Sequence, residues 1–253
     1  MAEPAWKPHR RESAEPDDGE DHVTVQRVVE HPDGRLELVD LPLTLKLYLD
    51  PQLGDKMSRG DAHARLMREL GEMLSGHFEA RKDVKVFTDL KHRFYRGFGP
   101  GPDVSVVQGI RHPHPDYLSF DSAAEGVIPS LVIEIVSPRD SRIRKLDEKD
   151  KLAGYEKVGI PEYLLLYPPG RKTGPLFFLK GFRLSPQKRY RPIEPDGRGR
   201  LLSETTGLLF GVSPDGKWVE VFDAETGERI LTPSENRKAR KAAEAELARL
   251  RAL

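Results

Sequence analysis

Two short runs limit what this chain can fold into. Leu131-Val-Ile-Glu-Ile-Val136 lies between Pro129 and Pro138, and Glu162-Tyr-Leu-Leu-Leu-Tyr167 ends at Pro168. Strand-length runs that are apolar on both alternating sides mark central strands covered on both faces. Between them, "RIRKLDEKDKLAGYEKVGI" places Ile143, Leu146, Leu152, Ala153, Tyr155 and Val158 at apolar positions of a helix. Gly159 suits the residue just past its end, and Pro161 stops it. Strand, helix, strand is a βαβ unit, right-handed when its strands are parallel. The chain is therefore expected to be α/β.

Flanking segments add to that unit. Residues 23–30 alternate as a strand, and an Asp33-Gly34 turn leads into a second, a hairpin signature. "LTLKLYLD" reads equally as strand or short helix. Residues 61–79 carry Ala64, Leu66, Met67, Leu70, Met73, Leu74 and Phe78 at helical spacing, with Asp61 as the expected N-cap. Strands are expected at 84–90 and 104–107, and a surface excursion at 108–129. Past residue 170, "LFFLKGF", "KRYRPIE", "GLLFGV" and "KWVEVFD" read as an antiparallel meander that extends or covers the sheet. Three regions follow: residues 1–22 as a disordered tail rich in Pro and charge, 23–232 as the folded domain, and 233–253 as a charged helix. The narrow stripe Ala239, Ala243, Leu247 and Leu250 leaves that helix open between a short coiled coil and a solvated helix.

Composition excludes several chemistries. The chain has no cysteine, so thiolate catalysis, disulfides and cysteine zinc sites are out. No apolar stretch approaches the roughly 18 residues of a membrane span, and the first residues lack the apolar core of a signal peptide. A cytoplasmic protein without membrane association is the expectation. Lys plus Arg and Asp plus Glu are 41 each, which gives no global attraction to nucleic acid. Any DNA binding must come from a local basic face.

The run at 131–136 raises a chemical question, because Glu134 stands inside it. A buried carboxylate costs several kcal/mol unless it is paired or bound to a metal. Asp103, after Pro102, opens another strand. If the two strands are neighbours, the acids meet at one sheet end and repel unless a cation joins them. Oxygen ligands completed by water suit Mg²⁺. On the helix after Glu134, Asp147, Lys151 and Tyr155 share a face, so Lys151 can reach the strand ends with Asp147 holding it. Each residue also has a plainer reading. Asp103 serves equally as a turn residue, Asp147–Lys151 as a surface ion pair, and Glu134 as the partner of an arginine. His112 and His114 are either metal ligands or part of a solvated Pro-rich loop.

"PDVSVV", "LVIEIVSP" and the ordered set Asp147-x₃-Lys151-x₃-Tyr155-x₃-Gly159-Ile-Pro-Glu-Tyr163 resemble the Uma-two restriction-endonuclease family, within the PD-(D/E)XK nuclease superfamily. The resemblance spans about residues 35–232 and is tightest over 100–168. It implies a mixed central sheet flanked by helices, with a C-terminal antiparallel extension. It makes Asp103 and Glu134 metal ligands and catalytic residues, with the carbonyl of Ile135 as a third ligand and Mg²⁺ or Mn²⁺ as cofactor. The superfamily lysine two residues after the glutamate is Val136 here, and Lys151 is its implied replacement. Asp147 and Tyr155 support Lys151, Glu37 completes the acidic set, and the family's Trp after "EY" is Leu164. The implied activity is metal-dependent hydrolysis of DNA phosphodiester bonds, with DNA as partner and a homodimer as the assembly that cuts both strands. Two alternatives stay open: a nuclease-fold module that binds nucleic acid or protein with little or no turnover, and a hydrolase of smaller phosphate esters.

Overall fold

A computed structural model describes residues 24–57, 60–114, 116–138, 141–170 and 173–251. The expected disordered tail lies outside the described residues. In chain order, the hairpin strands β1 (Thr24–Glu30) and β2 (Leu36–Pro42) precede α1 (Leu45–Leu49) and β3 (Lys56–Met57). Next come α2 (Asp61–His77), β4 (Val84–Thr88), β5 (His92–Arg93), β6 (Val104–Gln108), β7 (Phe120–Asp121) and α3 (Ser122–Glu125). The βαβ unit is β8 (Pro129–Ile135), α4 (Ser141–Lys145), a π-helical turn (Leu146–Lys151), α5 (Leu152–Val158) and β9 (Glu162–Tyr167). The remainder is β10 (Phe178–Leu184), β11 (Tyr190–Pro192), β12 (Leu201–Ser203), β13 (Leu208–Val212), β14 (Val219–Asp223) and α6 (Pro233–Arg251).

The central sheet has six strands in the order β11-β10-β9-β8-β6-β4. Only β8 and β9 among these neighbours run parallel, as the intervening helix requires. The sheet is thus mixed, and both faces are covered. On β8, Leu131, Ile133 and Ile135 point to one side, where they pack with Leu66, Leu70 and Leu74 of α2 and with Leu201, Leu208, Phe210 and Val221 of a second, three-stranded antiparallel sheet, β12-β13-β14. Val132 and Val136 point to the other side, against Tyr155, Tyr163, Tyr167 and Phe98. Burying each such aliphatic or aromatic side chain contributes about 1.5–3 kcal/mol, which is why these two strands anchor the fold.

Local chemistry explains the boundaries. Thr44 accepts from the Leu47 N–H, so "LTLKLYLD" becomes the short helix α1. At the start of α2 the N-cap is Gly60, and Asp61 takes the first turn instead of the expected cap position, where its charge still complements the helix dipole. α5 ends on Gly159 at φ 91°, the left-handed cap expected from sequence. Gly154 brings α5 against Phe98, where an added Cβ would lie 2.1 Å from the ring. The 108–129 segment is less exposed than expected: Ile110 and Phe120 are buried with Val107, and β7 within it pairs with β5. α6 forms as expected and buries none of its described residues.

Candidate active site

The antiparallel register of β6 and β8 pairs Val104 with Ile133, which sets Asp103 beside Glu134 at one end of the sheet. Asp103 is held there by the main chain of β8. The Ile135 N–H donates to its Oδ2 at 2.7 Å. Its Oδ1 lies 3.0 Å from Nε2 of His63, in the first turn of α2. Glu134 alternates to the same side as Val132 and Val136, facing the helical layer, and is 2 % exposed. The Tyr155 hydroxyl donates to its Oε1 at 2.9 Å, and the Lys151 ammonium stands 2.9 Å from Oε2.

The helical side is built around the π-helical turn, a local widening that often marks functional segments. It turns both Asp147 and Lys151 inward, and Lys151 is only 3 % exposed. Lys151 also lies 3.4 Å from Asp147 Oδ1 and 4.4 Å above the Tyr48 ring, a cation–π contact. The Tyr48 hydroxyl, from α1, donates to Asp147 Oδ1 at 2.5 Å, and the Tyr163 hydroxyl donates to the Asp147 carbonyl at 3.1 Å.

Lys151 thus pairs with both Glu134 and Asp147, and the charge of Asp103 acts on it as well. Burial raises the Glu134 carboxyl to about 8; Lys151 opposes this, while Asp103 and Asp147 push it further up. Burial raises Asp147 as well, against the pull of Lys151. Burial works to lower Lys151, but Glu134, Asp147 and Asp103 outweigh it and keep the ammonium charged. This donor set, two buried carboxylates side by side at a strand end, fits a hard divalent cation. Among the described residues, no group of three or more His, Asp or Glu side chains is arranged to hold a metal ion.

Of the residues singled out in the sequence, Asp103, Glu134, Ile135, Asp147, Lys151 and Tyr155 come together. Glu37 does not join them. It sits exposed on β2 with its Oε2 2.6 Å from Nε2 of His31, so the hairpin pairing takes it to the surface. Val136 is packed among Tyr155, Tyr163, Leu165 and Tyr167, so the usual lysine position is an apolar one here. Two site residues escaped sequence reasoning. His63 lies on the same helical stripe as Met67, Leu70 and Leu74, and a histidine on an apolar stripe at a helix start was the available signal. Tyr48 fell in the segment whose class was undecided.

Two acids thus meet at one end of a mixed sheet, beside a lysine supplied by the crossover helix. The chain belongs to the Uma2 family, described as "Putative restriction endonuclease", whose model matches residues 44–248. The crystal structure of "a putative nuclease belonging to DUF820" from Anabaena variabilis ATCC 29413 is similar at 18 % identity. That likeness covers 62 % of this chain and 80 % of the other, with a TM-score of 0.42. The comparison with curated proteins gave no match. Among the described residues, no helix is long and apolar enough to cross a membrane.

Proposed function

We propose that this protein is a metal-dependent endonuclease that hydrolyses DNA phosphodiester bonds. Asp103, Glu134 and the carbonyl of Ile135 hold Mg²⁺ or Mn²⁺. The observation that carries this reading is the Ile135 N–H to Asp103 bond, which fixes the two acids beside each other at one end of the sheet. A divalent ion bound there supplies Lewis-acid activation of the phosphate and of the attacking water.

The chain's own residues do the rest. The Glu134 carboxylate would serve as a ligand beside Asp103. Lys151, held by Asp147 over the Tyr48 ring, supplies a fixed positive charge for the phosphate in the transition state. Tyr155 holds the Glu134 carboxylate in orientation. Exposed Arg142 and Lys145 on α4 flank the π-helical turn and offer a basic approach for a phosphate backbone. A homodimer is the assembly this reading expects for cutting both strands.

The test is cleavage of supercoiled plasmid with Mg²⁺ or Mn²⁺ against chelator, beside Asp103→Asn and Glu134→Gln. Metal-dependent nicking by the native chain, lost in both variants, supports the reading; equal nicking by all three proteins marks a contaminant and rejects it. The second reading is a nuclease-fold binding module with weak turnover. It is favoured by the buried lock of Lys151 between Glu134 and Asp147, which leaves that ammonium little access to substrate. Salt-sensitive DNA binding without metal-dependent nicking would select it.

A further inference from the structure

The acids do not stand alone at the sheet end. His63 Nε2 and Asp103 Oδ1 are 3.0 Å apart. Two ligands on adjacent corners of an octahedron, each about 2.1 Å from the ion, lie about 3.0 Å from one another. The edge of a coordination polyhedron is therefore already spaced between these atoms. Both supports are stiff. Leu66, Leu70 and Leu74 bury α2 in the core, which fixes the backbone of His63, and the Ile135 N–H fixes the other oxygen of Asp103. His63 is itself largely buried, at 16 % side-chain exposure.

We propose that His63 is a nitrogen ligand of the metal site and biases it toward Mn²⁺ over Mg²⁺. The inference rests on the metal-dependent reading above and extends it to metal selectivity. In the hydrogen-bonded state one proton lies between Nε2 and Oδ1. A divalent cation held there would displace that proton. An imidazole nitrogen adds little to the binding of Mg²⁺, which favours oxygen, but more to that of first-row transition ions. The site then has a mixed set of donors, Asp103 and His63 on one edge and Glu134 from the neighbouring strand. Glu134 is the ligand that must loosen from Lys151 to join them.

The experiment is pulsed EPR of Mn²⁺ added to the metal-free full chain, with a second sample labelled with ¹⁵N-histidine. Calorimetric titration with Mn²⁺ alone and Mg²⁺ alone follows for native protein, His63→Gln and Asp103→Asn. The expected result is a nitrogen coupling on bound Mn²⁺ that changes with the isotope and is lost in His63→Gln. In that variant Mn²⁺ affinity falls about tenfold or more while Mg²⁺ affinity changes little. The label reads the native protein, so the test survives a poorly folding variant. Mn²⁺ bound in an Asp103-dependent way but without nitrogen coupling, or equal weakening of both ions in His63→Gln, overturns the inference and leaves His63 as a residue that orients Asp103. Mn²⁺ binding indifferent to Asp103→Asn rejects the underlying site, and the inference with it.

Discussion

Glu162 and Glu134 are both buried carboxylates on the adjoining parallel strands β9 and β8, and the chain treats them in opposite ways. Glu162 pairs with Leu131 in the register, three residues before Glu134, about 10 Å along the strand. It faces the second sheet and is fully engaged. Arg183 Nε and the Glu204 N–H donate to Oε1 at 2.9 Å each, and Ser203 Oγ, Thr205 Oγ1 and the Thr205 N–H donate to Oε2. Glu134 faces the helical layer with one tyrosine, a shared lysine and two more acids nearby. A buried charge surrounded by donors joins two layers together. One with fewer donors is where the proposed reading seats a cation.

The largest difference between the two should be in chemistry. Glu134→Gln should reduce metal-dependent cleavage on the order of 10³-fold or more, since a ligand of the proposed metal is lost. Glu162→Gln should leave the rate per folded molecule within about threefold, read by plasmid nicking at matched folded concentration. Stability should reverse the order. Glu162→Ala leaves an arginine, two hydroxyls and two backbone N–H groups short of their acceptor, and should cost about 3–5 kcal/mol in urea unfolding. A loss under about 1 kcal/mol would show that the Glu162 cluster is not the anchor it resembles.

His92 extends the comparison to a group satisfied as a neutral ring. It is fully buried, its Nδ1 donates to the Leu90 carbonyl, and its Nε2 accepts from Ser105 Oγ. Burial lowers its pKa to about 4, against the raising effect of the Leu90 hydrogen bond. The folded ring thus refuses a proton that the unfolded chain accepts below about 6.5. Its contribution is present above that pH and is lost as pH falls toward about 4, by about 3 kcal/mol. His92→Gln should flatten the stability profile over that window relative to the native chain; an unchanged slope would reject the assignment. The smallest effect should be Glu134→Gln on metal-free stability near pH 7, within about 1 kcal/mol. Burial already penalises the Glu134 charge, and Lys151 keeps Asp147 as a partner when that charge is removed.

How much of this was legible in the sequence follows from how local each signal is. β8, β9 and the crossover helix were readable because apolar runs, Gly159 and the prolines act over a few residues. Asp103 and Glu134 were readable as a pair because one register between neighbouring strands suffices to join them. The π-helical turn was not, since the 3.6-residue spacing that ordered Asp147, Lys151 and Tyr155 carries no mark of a local widening. Glu37 was misplaced because its position depends on how a hairpin packs, which its own alternation does not encode. Tyr48 and His63 reach the site only through tertiary approach of α1 and α2, and β12 is too short, at three residues, for a periodic signal.

The central claim is that the Asp103–Glu134 end of the sheet is built for a divalent cation. A Mn²⁺-soaked crystal with an anomalous difference map tests it most directly. The account predicts a peak within about 2.0–2.6 Å of carboxylate oxygens from both Asp103 and Glu134, with the Lys151 ammonium drawn back from Glu134 Oε2. An empty site at saturating Mn²⁺, with Lys151 still bound to Glu134, would contradict it.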